Sequence, residues 1–242
     1  SHIKNMEILA ERLHRDGVRL IFMGPSPYDQ TGSQSEENLF GVNDALKFCG
    51  AAAHKLAEKV QAGWVDFNAP MDAINRAWQA KQPAFTLVGP DRIHPGPAGH
   101  LVMAYLFLKA QHAPAVVAEA TLDGRQGKVV RQNNCDISDV RMVDGGLTFT
   151  CRSGALPFPV DKACGPALEW VPFMQELNRE MLTVTGLSGD RYALEIDGAL
   201  VVKTTAAALA KGIAASTVGR ADEDIRENVA PLPRRYAIRP AD

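Results

Sequence analysis

The chain has 242 residues, 46% of them hydrophobic and 22% charged, and a formal net charge of −2. That length fits one large domain or a domain with an addition, and the composition is that of an ordinary globular protein. Such a charge balance offers nothing to a nucleic-acid backbone, which needs clustered Lys and Arg, and no apolar run is long enough to cross a bilayer as a helix.

Taken in chain order, Ile3, Met6, Leu9 and Leu13 recur at helical spacing, and Asp16-Gly17 ends that helix. Residues 18–24 (VRLIFMG) are a continuous apolar run, the pattern of a strand covered on both faces. A loop rich in Pro, Gly, Ser and acids spans 25–38, a helix is predicted from about 43 to 60, and GWVDFN at 63–68 reads as a short strand. Helix, strand, helix, strand at this spacing predicts a parallel sheet with crossover helices. Residues 69–90 read as a further helix and a loop. PDRIHPGPAGHLVMAYLFLKA then places an aspartate three residues ahead of a histidine among prolines and glycines, with a helix closing from 96 to about 111.

After residue 112 the texture changes to short alternating segments punctuated by DG, GG and NN, which predict antiparallel hairpins. Residues 180–216 repeat the theme: a strand, a turn at Ser188–Asp190, a strand, a turn at Asp197-Gly198, a strand, and a helix beginning near Thr205. From Arg220 the tail is charged and proline-bearing, either a docked helix and extended arm or a partly disordered segment. The expected division is therefore 1–112, 113–219 and 220–242. Two strands do not cover the helices of the first part or bury enough to stand alone. Either the β-rich part completes that core or strands precede residue 1, and the expectation is the latter.

Four cysteines occur. Cys49 falls in a helical pattern and is expected to be a buried small apolar residue. Cys135, Cys151 and Cys164 lie in the strand-rich stretch, where one disulfide is compatible with the sequence. There is no CxxC pair and no histidine at zinc-finger spacing, and no Gly-rich phosphate loop follows either strand. Neither a metal nor an organic cofactor is implied.

The stretch DRIHPGPAGHLVMA, residues 91–104, resembles the last conserved block of the SGNH hydrolases, the GDSL-type esterase/lipase superfamily. In that family an Asp-x-x-His-Pro loop precedes the final helix of a flavodoxin-like sheet. The upstream order is also similar: helix, apolar strand ending GPSPYD, long loop, helix AAAHKLAEKV, strand WVDFN. LNREMLTVTGLSGDRYALEIDG and ALAKGIAAS resemble the β-rich C-terminal extension of some bacterial members. The resemblance implies an α/β fold, a three-layer flavodoxin-like parallel sheet that is N-terminally incomplete, plus a smaller β-rich appended region. It implies a serine esterase acting on acyl esters, carried by a small molecule or a carbohydrate, in which His94 is the general base and Asp91 its orienting acid. Relatives with this extension are often exported, which implies a periplasmic or extracellular location.

Imidazole suits the role, because its ordinary pKa of about 6.5 lies near the optimum for shuttling a proton, worth about 10²–10⁴ in rate. Pro90 and Pro95 restrict the loop and lower the entropy cost of holding both groups.

The departures define what the chain lacks. The family's Gly-Asp-Ser block is absent, and the similar letters SGD at 188–190 run in reverse within a turn. GVND at 41–44 matches a Gly-x-Asn-Asp block in letters but follows the strand it should precede, so Asn43 or Asp44 reads as a helix cap. Ser26 sits just past a strand end, where α/β sites gather, and is the nucleophile candidate within the chain. It lacks the GxSxG elbow and is followed by Pro27, and a plain turn serine is the competing reading. Ser33 and Ser35 read as solvated, His100 as packing or capping, and His54 and His14 as partly exposed structural residues. Asp66 reads as the cap of the next turn, and Trp64, Trp78 and Trp170 as core, with a carbohydrate site as the alternative. The expectation is a base and an acid whose serine and oxyanion donors lie on a missing N-terminal segment or a partner chain, leaving this chain inactive alone. The rival is a catalytically incomplete relative that binds carbohydrate or a protein.

Overall fold

The computed structural model describes residues 2–215 and 233–241. The chain divides into two compact units: unit 1 runs to Ala113 and includes Pro166–Val171, and unit 2 comprises Pro114–Gly165 and the residues from Pro172 on.

Unit 1 contains α1 (His2–Arg15), β1 (Ile21–Met23), α2 (Val42–Lys59), β2 (Gly63–Val65), α3 (Asn68–Gln79) and α4 (Pro97–Ala110). β1 and β2 pair in parallel with Ile21 opposite Gly63 and Met23 opposite Val65, joined by the crossover that contains α2. Parallel neighbours need such a connection, which is what the helix–strand alternation announces. The strands are only three residues long. Ala10, Phe22, Leu56 and Ala57 form a core with Met6, Leu20 and Trp64 packed against it. The stripe expected on α1 is only partly covered: Met6 and Leu13 are half-buried, while Ile3 and Leu9 are 40% and 51% exposed. Of the three-layer parallel sheet that the resemblance implies, the described residues hold this one parallel pair.

Two readings on α2 are corrected. Gly41 caps the helix at φ 90°, a conformation suited to glycine, without any side-chain cap bond. Asn43 is instead fully buried, and its Oδ1 accepts from the Tyr28 amide at 3.2 Å and from Asn68 Nδ2 at 2.9 Å. Cys49 is exposed and not in the core, because α2 turns Asn43, Gly50, Leu56 and Ala57 inward.

Unit 2 is built from β3 (Val116–Asp123), β4 (Lys128–Asn133), β5 (Cys135–Val143), β6 (Gly146–Ser153), a 3₁₀ helix (Lys162–Glu169) shared with unit 1, α5 (Phe173–Glu176), β7 (Arg179–Thr185), β8 (Arg191–Ile196), β9 (Ala199–Thr205), α6 (Ala206–Lys211), β10 (Ile213–Ala214) and β11 (Arg234–Pro240). One sheet has the order β10-β7-β3-β4 and the other β5-β6-β11-β8-β9. The first is mixed, since β3 pairs with β7 in parallel and with β4 antiparallel; the second is antiparallel throughout. The turns β5–β6 and β8–β9 carry Asp144-Gly145 and Asp197-Gly198 with positive φ at both positions, the turn that the DG pairs predict. The turn at Ser188–Asp190 does not make a hairpin, because β7 and β8 belong to different sheets.

Alternating side chains of the two sheets meet in one core. Leu122 and Val184 come from the first sheet, Leu147, Leu194 and Ile238 from the second, and all are at most 1% exposed. Phe149 of β6 stacks on Tyr236 of β11 with centroids 4.9 Å apart. Of the charged tail, 220–232 lies outside the described residues, while 234–240 is the middle strand of five, paired on both sides. All four cysteines are free thiols; Cys135 and Cys151 are buried, and burial pushes the Cys151 thiol up to about 12.

Truncating Ile238, 1% exposed in the central strand, removes apolar contacts from both neighbours. Ile238→Ala is expected to cost about 2–5 kcal/mol in urea unfolding, whereas Val130→Thr on the exposed β4 changes it by less than about 0.5 kcal/mol.

Candidate active site

The approach to the Asp-x-x-His loop is anchored from below. Asn75 of α3, wholly buried, accepts the Leu87 amide at 2.8 Å, and Leu87 and Val88 are buried beside it. Gly99, in the first turn of α4, lies so close to the Leu87 carbonyl that a Cβ there would collide with backbone, which explains the second glycine of the GPAG sequence. Pro97 occupies the first turn of α4, where a missing amide costs nothing.

Between these anchors the chain makes a tight reversal. The Arg92 amide donates to the Gly89 carbonyl at 3.1 Å, and both residues have positive φ, 71° and 68°. A Cβ on Gly89 would stand 2.8 Å from the His94 carbonyl oxygen, so glycine is required twice over. Asp91 Oδ1 accepts the amides of Ile93 at 3.2 Å and His94 at 3.1 Å, closing an Asx turn. Its other oxygen, Oδ2, meets His94 Nδ1 at 2.5 Å. The loop therefore brings both predicted residues together.

The electrostatics follow from that geometry. The His94 hydrogen bond, then the backbone amides of His94 and Ile93, hold the Asp91 carboxyl well below the usual carboxylate range, at about 2. An ionised carboxylate is acceptor-only, so it keeps a proton on Nδ1 and leaves the Nε2 lone pair to face outward. The His94 side chain is 83% exposed and Asp91 49%. Such an arrangement can take a proton from an alcohol or water brought against Nε2.

Other singled-out residues lie apart from this chemistry. Ser26 is half-buried after β1 and, among the described residues, makes no hydrogen bond to His94. Ser33 and Ser35 are exposed. His100 Nδ1 lies 3.1 Å from the Gly96 carbonyl at the start of α4, and Asp66, just ahead of the N-cap Phe67 of α3, accepts the Ala69 amide at 3.2 Å. His54 stacks on Trp64, and His14 is an exposed residue of the last turn of α1. Trp78 and Trp170 pack with Phe85 into a half-buried aromatic cluster. Among the described residues no group of His, Cys, Asp and Glu has the arrangement of a metal site, and no helix is long and apolar enough to cross a membrane.

Two buried charges were not legible as part of the site. Asp29 is 1% exposed and follows β1. Burial alone would raise its carboxyl, but hydrogen bonds from Thr86, the Gly32 and Thr31 amides and Gln79 outweigh this and hold it low. Arg92 is 3% exposed although it sits inside the Asp-x-x-His sequence. Charged residues in loops default to solvent, and no local pattern distinguishes these two.

No family model and no curated protein matches the sequence. Among solved structures the chain is similar to a gut microbial diltiazem-metabolizing enzyme, with 38% identity, a TM-score of 0.81, and coverage of 88% of this chain and 50% of that one. The chain thus spans half the length of that enzyme. It is similar over less than half its length to a variant of an acetyl xylan esterase from Geobacillus stearothermophilus, with 19% identity, 45% of this chain and 44% of that one, and a TM-score of 0.36. A structure from Parabacteroides merdae described as a GDSL-like lipase matches with 19% identity, 46% of this chain and 48% of that one, and a TM-score of 0.35.

Because Asp91 is depressed in the folded protein, its contribution to stability is present above the ordinary value of about 4 and is lost as pH falls toward about 2. In acid-unfolding measurements the Asp91→Asn variant is expected to lose stability less steeply than the parent across that window. Asp29, depressed in the same direction, continues to titrate in both proteins.

Proposed function

We propose that this chain is a relative of the SGNH, or GDSL-type, hydrolases and that it supplies the general base and orienting acid of an ester hydrolase. The observation that carries this reading is the 2.5 Å contact between Asp91 Oδ2 and His94 Nδ1, with Nε2 left facing solvent. In the reaction, Nε2 takes the proton from a serine hydroxyl as its oxygen attacks the ester carbonyl. The imidazolium that forms is stabilised by Asp91, which stays ionised, and returns the proton to the departing alkoxide. Water, deprotonated by the same nitrogen, then releases the acyl group. The substrate class is an acyl ester on a small molecule or a carbohydrate.

The serine and the oxyanion donors are proposed to lie on polypeptide outside this sequence, either contiguous with it or on a partner chain. Three features support that. Ser26 makes no bond to His94, and the match covers 50% of the solved relative. Unit 1 also leaves Met23 on β1, Leu9 on α1, and Phe40 and Phe48 beside and on α2 between 51% and 79% exposed, around a sheet of only two strands. Further parallel strands beside β1 and β2 would cover such residues and complete the three-layer arrangement.

The experiment is hydrolysis of a short-chain nitrophenyl ester by the polypeptide expressed from its complete reading frame, together with any partner encoded beside it. Replacing the base in His94→Ala is expected to lower kcat/KM by about 10²–10⁴. A variant as fast as the parent removes His94 from the mechanism and leaves the reading of a binding module.

A further inference from the structure

Arg92 stands between the acid and the base, yet no proton-transfer role calls for it. Its neighbours on both sides are at the surface, while it is 3% exposed. Burying a guanidinium is costly unless its donors are satisfied. Here Nε donates to Glu36 O at 3.1 Å, and Nη1 donates to Asp29 O at 3.0 Å, Gly32 O at 2.9 Å and Gln34 Oε1 at 2.9 Å. Nη2 donates to Gln34 O at 3.2 Å. The Asp29 amide returns a bond to the Arg92 carbonyl at 2.8 Å. A planar fork with five N–H groups suits this set of acceptors, and an ammonium does not.

The acceptors all belong to the loop at 29–36, which is itself fixed. Asp29 accepts from Thr31 N and Oγ1 and from Gly32 N, and Gln79 of α3 donates to both Asp29 Oδ2 and the Phe85 carbonyl. The positive φ of Arg92 is a conformation that a residue with a Cβ adopts only when its surroundings impose it. Here the guanidinium bonds impose it, and the same backbone conformation closes the turn on which Asp91 and His94 are mounted.

We propose that Arg92 is a positioning residue for the Asp91–His94 pair: tied into the 29–36 loop, it fixes the backbone between carboxylate and imidazole and so maintains the hydrogen bond that keeps the proton on Nδ1. This inference rests on the reading of the pair as acid and base and adds what holds it in place.

The test is ¹⁵N NMR of the His94 ring in the 242-residue chain, at a pH where the imidazole is neutral. The parent is expected to show a protonated Nδ1 and a bare Nε2. In Arg92→Met the Nδ1-protonated form becomes the minor one, because a free imidazole prefers its proton on Nε2. Arg92→Lys, which keeps the charge but not the fork, falls between the two. A folded Arg92→Met that retains the parent's ring spectrum overturns the proposal, as does a parent protonated mainly on Nε2. Should Arg92→Met fail to fold, Gln34→Ala decides by removing one acceptor. Partial loss of the Nδ1 form supports the clamp, and an unchanged spectrum overturns it. The ring spectrum is independent of catalysis, so ester hydrolysis undiminished in His94→Ala would sink the catalytic reading while leaving the clamp standing.

Discussion

In this loop the carboxylate and the imidazole, three residues apart, face each other because the backbone between them reverses sharply, and that reversal is what the surroundings of Asp91 and His94 maintain. Two residues with positive φ, Gly89 and Arg92, make the turn. The first is free of strain because it has no Cβ. The second carries a penalty of order 1–3 kcal/mol, which the satisfied guanidinium offsets. Asn75, Leu87 and Gly99 seat the segment through one hydrogen bond from the Leu87 amide to Asn75 and one close backbone approach. The short contact at the surface thus depends on a buried charge beneath it.

The two units differ in how completely they bury their apolar residues. Unit 2 encloses a core between two sheets, with five central side chains at most 1% exposed. Unit 1 has one small cluster around Phe22 and Leu56 and leaves aromatic side chains outside, Phe40 at 79%. Single exposed apolar residues are normal, but in unit 1 Leu9, Met23, Leu39, Phe40 and Phe48 are all more than half exposed.

Much of this was legible in the sequence where one local rule governs one feature. The helical spacing found α2 and α4, DG pairs found the turns at Asp144 and Asp197, and the family resemblance of residues 91–104, not the Asp-x-x-His spacing alone, pointed to the pair that meets at 2.5 Å. What stayed hidden depends on distant partners. β3 pairing in parallel with β7 joins residues about sixty positions apart, and no turn signal announces it. Asn43 looked like a cap because its letters suit one, but Asn68 and Tyr28 draw its side chain into the interior. Cys49 was misplaced because helical spacing does not say which face is inward. Arg92 and Asp29 were invisible for the same reason: their burial is decided by acceptors and donors elsewhere in the chain.

The strand Arg234–Pro240 lies between β6, which ends at Ser153, and β8, which begins at Arg191. During synthesis the hairpins β5–β6 and β8–β9 therefore leave the ribosome with their inner edges open, and they stay open until that late segment emerges. Contacts so far apart in the chain form slowly. Until then two unpaired edges and the ring face of Phe149 on which Tyr236 later stacks are available to other nascent chains, so a stalled or prematurely terminated translation product would be the species most exposed to aggregation.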